Sequence, residues 1–469
     1  MAYMHCVQRE SDGHYVLPRT GAMATDVHAW LSESLFAQTD EALWRQAAQA
    51  ASYPGIVAFH LMPDTHLGYG IPVGGVAVTD DVIIQAGSGY DISCGVIYLR
   101  VPRLHASDVA DWDRRREWIA AVEARVATGV GSHRPRQMPR FSEAKVEEML
   151  RYGAKPLGVR ADLCERQYIP VDDTYLDSDR ITRAREKAAP QLGSVGGGNH
   201  FVEMQVEAKD GSVWVMIHCG SRGYGWQTAN HYFYAGAELR GLPKNRREES
   251  WLRADEPLGR EYWAHHNSAA NYAVANRHII VRGVQSALEE VYGVEGEVYY
   301  EISHNLVQEE TLVLPDGSTT RGFVHRKGAT RAFPAGHPDL AGTAWEQTGH
   351  PCLVPGSMLQ GAAILYAGEG AYRSGCSVNH GAGRVMGRGQ AKRDLAAMHD
   401  DIDAEMRNVT RSLGGVQVRG IAGNTRRTPL DECGHAYKDL DAVLDVLEHE
   451  GIARVAQRMY PVANIKGMD

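Results

Sequence analysis

The spacing of apolar and polar residues changes along the chain between a helical period and the alternation typical of strands. In residues 26–51, for example, Trp30, Leu35, Leu43 and Ala47 recur at helical spacing. The predicted helices are 26–51, 109–129, 142–152, 262–291 (one or two helices), 390–413 and 439–458. The predicted strands are Ile56–His60, Val96–Val101, Phe201–Gln205, Val213–Ile217 and Glu297–Ile302. Because helices and strands interleave throughout, we predict one large α/β unit over residues 1–469, with helical insertions near 105–155 and 235–292.

Glycine-rich segments that carry acidic, thiol and imidazole side chains lie next to these strands. Residues 61–75 contain too much glycine and proline for a helix, so they predict a structured loop. Asp64 and His66 lie two apart in it, and in an extended conformation they would share one face. These two side chains could bind a metal or transfer a proton, or Asp64 could only cap a turn.

Two further segments offer metal ligands. Asp91 and Cys94 lie three apart, a spacing that brings two side chains together on one turn, and a carboxylate with a thiolate suits Zn, Mn, Fe or Co. A lone cysteine can equally be a small buried apolar residue. If the strand conformation starts at Asn199, then Asn199 and Glu203 share one face and His200 takes the other. The two faces could then serve two purposes, such as a metal at His200 and a nucleotide at the other two residues.

Two predicted strands end at a histidine, His218 and His304, each beside glycine or polar residues. Active-site histidines often occupy such positions at the end of a buried strand. With Asp91, Cys94 and His200 they make five candidate ligands, which exceed one tetrahedral site and could hold two metals if the thiolate bridges them. The ligand types favour Mn or Zn, and the sequence does not choose between them.

One histidine, His380, is followed by three very small residues, Gly381–Gly383. Small residues leave space for a large group beside the imidazole, and glycine lets backbone N–H groups approach a phosphate. Arg384 and Arg388 lie four apart and could both face that phosphate. The segment therefore predicts a nucleophile toward phosphorus, with a glycine-rich turn around a buried histidine as the alternative.

Composition narrows the class of protein. The net charge is −9 and the pI is near 6.2, so any site for a polyanion must be a local basic patch. The seven cysteines include no Cys-x-x-Cys pair, which favours a reducing compartment. No apolar run of about 18 residues and no N-terminal apolar signal region occur. We therefore expect a cytoplasmic protein with no membrane span.

These motifs together resemble the RtcB family of RNA-splicing and RNA-repair ligases. The resemblance spans residues from about 55 to 467, in the order of the family. It rests on Met-Pro-Asp-Thr-His-Leu-Gly-Tyr-Gly, Gly-Tyr-Asp-Ile-Ser-Cys-Gly-Val, Gly-Gly-Gly-Asn-His-Phe-Val-Glu, His-Cys-Gly-Ser-Arg-Gly, Ser-His-Asn, Arg-Lys-Gly-Ala-Thr-Arg-Ala, Pro-Gly-Ser-Met, His-Gly-Ala-Gly-Arg and Ile-Lys-Gly.

The resemblance implies a fold of the RtcB type and an activity that joins RNA 3′-phosphate or 2′,3′-cyclic phosphate ends to 5′-hydroxyl ends. GTP and two Mn²⁺ ions would be the cofactors, His380 the residue that becomes guanylylated, and Asp64 a second residue needed for activity. One metal would be held by Asp91, Cys94 and His200, and the other by Cys94, His218 and His304. The expected partners are RNA, in splicing or repair, and archease.

The resemblance also implies residues for the nucleotide and the RNA. The expected nucleotide-binding residues are Asn199, Glu203, Asn305, Pro355, Gly356, Ser357, Met358, Gly381, Ala382, Gly383, Tyr437 and Lys466, with Tyr437 stacked on guanine. The expected RNA-binding residues are Arg222, Arg326, Lys327 and Arg331, which would form the local basic surface that the net charge hides.

The sequence departs from the family pattern in three places, one of which is Cys376, an added thiol close to His380. Leu359-Gln360-Gly361-Ala362 follows Pro-Gly-Ser-Met, where the family usually has Gly-Thr and a serine soon after. Trp226-Gln227 stands where the family usually has His-Gln. These changes indicate a divergent branch and concern the nucleotide contacts and the RNA substrate. The alternative functions are a dinuclear-metal RNA phosphatase or cyclic phosphodiesterase without ligation, and a non-catalytic RNA-binding relative.

Overall fold

The computed structural model describes residues 2–129, 134–313 and 317–467; residues 130–133, in the first predicted insertion, lie outside the described part of the chain. In chain order the strands are β1 (Gln8–Arg9), β2 (His14–Leu17), β3 (Val27–Trp30), β4 (Ile56–His66), β5 (Val73–Thr79), β6 (Val82–Ile84), β7 (Gly95–His105), β8 (Ala127–Thr128), β9 (Ser194–Gly196), β10 (Phe201–Glu207), β11 (Ser212–Cys219), β12 (Trp251–Arg253), β13 (Glu297–Ser303), β14 (Asn305–Val313), β15 (Thr319–Lys327), β16 (Ala329–Arg331), β17 (Pro351–Pro355), β18 (Ala362–Ala367), β19 (Ser377–Asn379), β20 (Thr410–Leu413), β21 (Val416–Arg419), β22 (Ala422–Gly423) and β23 (Ala453–Lys466).

The α-helices surround two large sheets. They are α1 (Glu33–Phe36), α2 (Glu41–Ala50), α3 (Trp112–Glu123), α4 (Glu143–Tyr152), α5 (Asp173–Leu176), α6 (Thr182–Gln191), α7 (Arg222–Leu239), α8 (Pro257–Tyr292), α9 (Arg388–Asp394), α10 (His399–Asn408) and α11 (Leu440–His449). The prediction of a mixed α/β fold is confirmed. In the described part of the chain, no helix is both long enough and apolar enough to cross a lipid bilayer.

The two large sheets differ in strand order. A seven-stranded sheet has the order β1-β2-β3-β4-β5-β15-β14, and an eight-stranded sheet has the order β13-β7-β11-β10-β23-β18-β17, with β22 beside β23. Helices α3 and α8 pack on the eight-stranded sheet through a core that includes Trp118, Ile280 and Val215. A second core joins strands β17 and β18 and helix α11 to the seven-stranded sheet. Buried apolar contacts on several sheet faces therefore hold the strand ends in fixed positions.

The sequence pattern misassigned two segments near the N-terminus. The predicted helix 26–51 is wrong at its start, because Val27–Trp30 pairs with β2 and β4 as a strand. New helices begin only where Ser32 and Asp40 accept backbone N–H hydrogen bonds as N-caps. The predicted loop 61–75 is also wrong at its start, since β4 continues to His66. Pro63 is tolerated there because the pairing with β5 is interrupted between Leu61 and His66.

Three predicted helices end earlier than the pattern indicated. Helix 109–129 is shortened to α3, and helix 439–458 stops at His449. Gly451, with φ of 65°, turns the chain from α11 into β23. Helix 390–413 is divided into α9 and α10, and its last residues form a hairpin with β21. The remaining predicted helices, 142–152 and 262–291, correspond to α4 and α8.

Candidate active site

The ends of five strands meet at one edge of the eight-stranded sheet. Phe201, at the start of β10, lies opposite His218 near the end of β11 and opposite Lys466 at the end of β23. Gly95, at the start of β7, lies opposite Ser303 at the end of β13. Because these neighbours are antiparallel, their ends and starts converge. A cavity of about 420 Å³ opens at this edge.

The five predicted metal ligands form one continuous cluster. The Sγ atom of Cys94 lies 3.4 Å from Nε2 of His200 and 3.2 Å from Nε2 of His218. The Nε2 atoms of His218 and His304 are 3.1 Å apart. On the other side, Nε2 of His200 lies 2.9 Å from Oδ2 of Asp91. The sulfur of Cys94 thus stands between the two halves of the cluster.

The hydrogen bonds around this cluster orient its histidines as metal ligands. Nδ1 of His200 lies 3.0 Å from the carbonyl oxygen of Val195, and Nδ1 of His218 lies 3.1 Å from that of Asn199. A carbonyl only accepts, so each Nδ1 carries a proton, and Nε2 of His218 is free to present a lone pair to the cluster. Nε2 of His200 instead faces the carboxylate of Asp91. Burial disfavours the charged form of His200, but the neighbouring thiols and Asp91 outweigh it and raise the pKa of His200 well above its usual value. Burial lowers the pKa of His218 and of His304 well below the usual value. Imidazole nitrogens, a thiol and a carboxylate that face one another at these distances fit a bound transition metal.

His380 lies beside the cluster and is hydrogen-bonded to Asp64. Nδ1 of His380 is 2.5 Å from Oδ2 of Asp64, and the backbone nitrogen of His380 is 3.2 Å from the same oxygen. Asp64, at the end of β4, is fully buried. The rings of His380 and His304 lie 5.1 Å apart. The structure therefore places the predicted nucleophile next to the predicted metal ligands.

The small residues after His380 have a second role that the sequence did not indicate. Gly383 has φ of 77°, and a Cβ atom there would lie 2.3 Å from the carbonyl oxygen of Asp64. A Cβ atom at Gly381 would lie 2.8 Å from the carbonyl oxygen of Pro355. Glycine at these positions therefore allows the segment to pack directly on β4 and β17, and the same packing brings His380 to Asp64.

The cavity brings together the residues expected to hold a nucleotide. They are Asn199, Glu203, Asn305, Pro355, Gly356, Ser357, Met358, Gly381, Ala382, Gly383, Tyr437 and Lys466, and each of them lines the cavity. Asn199 and Glu203 lie along the cavity while His200 joins the metal-ligand cluster, which is the division that strand alternation predicts. Burial raises the pKa of Glu203 to about 7, although Gln205 and Asn464 donate hydrogen bonds to it.

Glu432 connects the basic residues of this wall, and the sequence analysis missed it. Its Oε2 lies 2.6 Å from Nζ of Lys466 and accepts a 2.8 Å hydrogen bond from the hydroxyl of Tyr437. Its Oε1 lies 3.2 Å from Arg384 and 3.3 Å from Arg388. Burial raises the pKa of Glu432, but the charge of Lys466 and the two arginines outweighs this effect and keeps it low. The one sequence feature that points to this role is the position of Glu432 as an acidic residue between two basic segments.

Two of the four predicted RNA-binding residues are inaccessible. Arg326 makes two contacts with the carboxylate of Glu310, at 2.5 and 2.9 Å, and Arg331 lies 3.1 Å from Glu165. Both arginines are buried, and their charges are neutralised inside the protein. The expectation that Arg326 and Arg331 form an exposed basic surface is therefore wrong.

The other two predicted RNA-binding residues lie near the site. Lys327 lines the cavity and donates hydrogen bonds from Nζ to the carbonyl oxygens of Tyr69 and Ile71. Burial lowers the pKa of Lys327 to about 7. Arg222, at the start of α7, contacts the hydroxyl of Ser194 behind the metal-ligand cluster. Both side chains support the site from beneath rather than forming an open basic patch.

Comparison with known proteins gives one consistent family. The model of the family described as tRNA-splicing ligase RtcB matches residues 46–467. The tRNA-splicing ligase RtcB of Thermococcus kodakarensis is 35% identical over 456 residues, covering 90% of this chain and 90% of that protein. The protein of the same name from Archaeoglobus fulgidus is 33% identical and covers 98% of this chain and 99% of its own length. The RNA-splicing ligase RtcB of Mycobacterium tuberculosis is 34% identical, covering 90% of this chain and 100% of that protein.

Proposed function

The chain belongs to the RtcB family, and from that premise we propose that it is a GTP- and Mn²⁺-dependent RNA ligase. It joins RNA 3′-phosphate or 2′,3′-cyclic phosphate ends to 5′-hydroxyl ends, in tRNA splicing or RNA repair. The observation that carries the proposal is the pair formed by His380 and Asp64 next to the metal-ligand cluster. A hydrolase that used only two metals would not need an imidazole oriented in this way.

The first step is the transfer of a guanylate to His380. Asp64 accepts the Nδ1 proton of His380 in a hydrogen bond, so the lone pair of the ring is on Nε2. Nε2 attacks the α-phosphorus of GTP, an N–P bond forms, and the bond to pyrophosphate breaks. The buried carboxylate of Asp64 stabilises the positive charge that develops on the ring.

The second and third steps pass the guanylate to the RNA and then release it. An oxygen of the RNA 3′-phosphate attacks the guanylate phosphorus, and the N–P bond to His380 breaks. The 5′-hydroxyl of the other RNA end then attacks the 3′-phosphate phosphorus, a phosphodiester forms, and GMP leaves. A 2′,3′-cyclic phosphate must first be opened by water to give the 3′-phosphate.

The metal-ligand cluster would provide two sites, with the sulfur of Cys94 within reach of both groups of ligands. Asp91, Cys94 and His200 would hold one Mn²⁺, and Cys94, His218 and His304 would hold the other. When bound, the two ions neutralise phosphate oxygens and orient the reacting groups. The carbonyl oxygens of Val195 and Asn199, which accept hydrogen bonds from Nδ1 of His200 and His218, would hold the two rings in the orientation that metal binding through Nε2 requires.

The wall around Glu432 would receive the nucleotide. Lys466, Asn199 and Ser357 offer donors to the phosphates and the sugar, and the ring of Tyr437 offers a stacking surface for guanine. Glu203 offers a carboxyl group for the donor edge of the base.

The same proposal includes two expectations beyond the active site, namely that the protein depends on archease and that it is located in the cytoplasm.

A ligation assay with matched RNA ends tests this function. We expect an RNA with a 3′-phosphate to be joined to an RNA with a 5′-hydroxyl only when GTP and Mn²⁺ are both present. The control pair carries a 3′-hydroxyl and a 5′-phosphate and should remain unjoined. Removal of the 3′-phosphate or opening of the cyclic phosphate without any joined product, with GTP present, would indicate the hydrolase instead.

A further inference from the structure

Three aromatic side chains, Tyr69, Tyr90 and Trp226, form a surface that we call the aromatic ledge. Tyr69 and Tyr90 line the cavity, and Trp226 stacks on Tyr90 outside this lining. Tyr69 is 68% exposed and Trp226 is 46% exposed. The rings of Tyr90 and Trp226 are stacked, with centroids 5.7 Å apart and planes 20° apart. The ring of Tyr69 meets Tyr90 edge-on at 6.1 Å. Large aromatic rings exposed side by side are unusual on a protein surface unless they bind something.

The ledge is held in place from beneath. The hydroxyl of Tyr90 donates a hydrogen bond to Glu248 and accepts one from Arg247 at 3.1 Å. The carbonyl oxygen of Tyr69 accepts a hydrogen bond from Nζ of Lys327, which fixes the backbone that carries this ring. The ledge is therefore a preformed surface, and a ligand that stacks on it would not first have to order these residues.

The ledge continues directly into the candidate active site. Tyr69 and Tyr90 line the same cavity as His304 and His380. Tyr90 precedes the metal ligand Asp91, whose Oδ1 accepts a hydrogen bond from the backbone nitrogen of Ser221, immediately before α7. Trp226 lies one turn into α7. The ledge is thus on the side of the metal ligands, whereas the nucleotide wall is formed around Glu432.

We propose that the aromatic ledge stacks a nucleobase of the single-stranded RNA end that enters the site. Stacking on exposed aromatic rings is the usual way in which proteins bind unpaired bases, and it tolerates any sequence because every base has a flat face. One face of Trp226 is covered by Tyr90, and its exposure leaves room for a base on the other. The inference rests on the proposed RNA substrate, and it adds the surface of the protein on which a base of that substrate stacks.

The test measures RNA affinity rather than turnover. The probe is a fluorescently labelled single-stranded RNA of about eight nucleotides with a 3′-phosphate, titrated by anisotropy against the full chain. Trp226→Ala should raise the Kd about fivefold or more, and Trp226→Phe should retain most of the affinity. Tyr152→Ala is the control, because Tyr152 is 44% exposed on α4 and its ring contacts Tyr168 rather than the ledge. Its Kd should equal that of the wild type.

A second probe separates stacking from a general loss of structure. An abasic strand of the same length should bind the wild type more weakly than the normal RNA. Trp226→Ala should lose much less affinity when the bases are removed, since the ring that they contact is already absent. If removing the bases weakened RNA binding equally in the wild type and in Trp226→Ala, the proposal would be overturned.

The remaining outcomes distinguish the ledge from the proposed function. A wild type that ligates RNA, together with a Trp226→Ala variant of unchanged Kd, overturns the ledge alone. A wild type that neither binds nor ligates RNA overturns both. A Trp226→Ala variant with unchanged Kd and an altered sedimentation coefficient would instead assign the ledge to a contact between copies of the chain.

Discussion

Oδ2 of Asp64 lies 2.5 Å from Nδ1 of His380 and 3.2 Å from the backbone nitrogen of the same residue. A single buried carboxylate oxygen therefore fixes both the position and the ring orientation of the histidine. Because a carboxylate accepts, Nδ1 carries the proton and the lone pair of the ring is on Nε2. In the described part of the chain, no hydrogen bond occupies Nε2. In the proposed reaction, Asp64 would therefore position His380 for its attack on GTP.

Asp64→Asn should slow the attachment of GMP to the protein by about two to four orders of magnitude. The amide carries no charge to stabilise the ring, and its N–H groups can turn toward Nδ1 and favour the wrong tautomer. The measurement is the single-turnover rate with labelled GTP, with bound metal determined on the same sample. A rate within threefold of the wild type, at equal metal content, would contradict this role.

Cys94→Ala should reduce the bound metal from two ions per chain, because the sulfur stands between both groups of ligands. Elemental analysis of the purified protein after loading with Mn²⁺ measures the stoichiometry. Cys352→Ala is the matched control, since it removes a thiol that is equally buried but belongs to the apolar core. Retention of two ions by Cys94→Ala would rule out a bridging thiolate.

Glu432→Ala should lower the free energy of unfolding by about 3–5 kcal/mol, because it leaves the buried charge of Lys466 without its partner. Urea unfolding measures the change. The control is Asp12→Ala, which removes an exposed partner of Arg9 and should cost less than about 1 kcal/mol. If the two variants lost similar stability, Glu432 would not be the residue that neutralises the buried basic side chains around it.

The stability of the protein should depend on pH through Glu203. Burial raises the pKa of Glu203 from 4.5 to about 7, so the folded state binds this proton more tightly than the unfolded state does. The contribution of the protonated Glu203 carboxyl to the free energy of unfolding is complete below about pH 4.5. It is lost as the pH rises through 7, and it amounts to at most roughly 3 kcal/mol.

Glu203→Gln removes this titration and isolates its effect. The difference in unfolding free energy between the variant and the wild type should therefore shift in favour of the variant from pH 5 to pH 8. Urea unfolding at both pH values measures the difference. A difference that is constant with pH would show that Glu203 does not titrate in this range.

The sequence indicated which residues lie close together in the fold better than it indicated where the helices begin and end. Polar residues next to glycines at strand ends were recognisable, and antiparallel pairing brought Cys94, His200 and His218 to one edge of the sheet. The strand Val27–Trp30 could not be predicted, because its apolar residues also fit a helical period. Its pairing with β2 and β4 is what selects the extended conformation.

The ion pairs of the site had no signal in the sequence. Lys466 and Glu432 lie 34 residues apart in the chain, and only the packing of β23 against the loop before Tyr437 joins them. In the same way, the local sequence around Arg326 is typical of a basic loop, and only the fold places Glu310 beside this arginine. Charge pairs between distant segments depend on tertiary structure, which no local pattern encodes.

The most direct test of the account is whether His380 carries the guanylate. Wild-type protein and His380→Ala are each incubated with GTP labelled at the α-phosphate and with Mn²⁺, and their metal content is determined in parallel. We predict that the wild type acquires a label that survives alkali and is lost in acid, as a phosphoramidate is, and that His380→Ala acquires none while it binds the same amount of metal. A label of the same acid and alkali stability on His380→Ala would contradict the account.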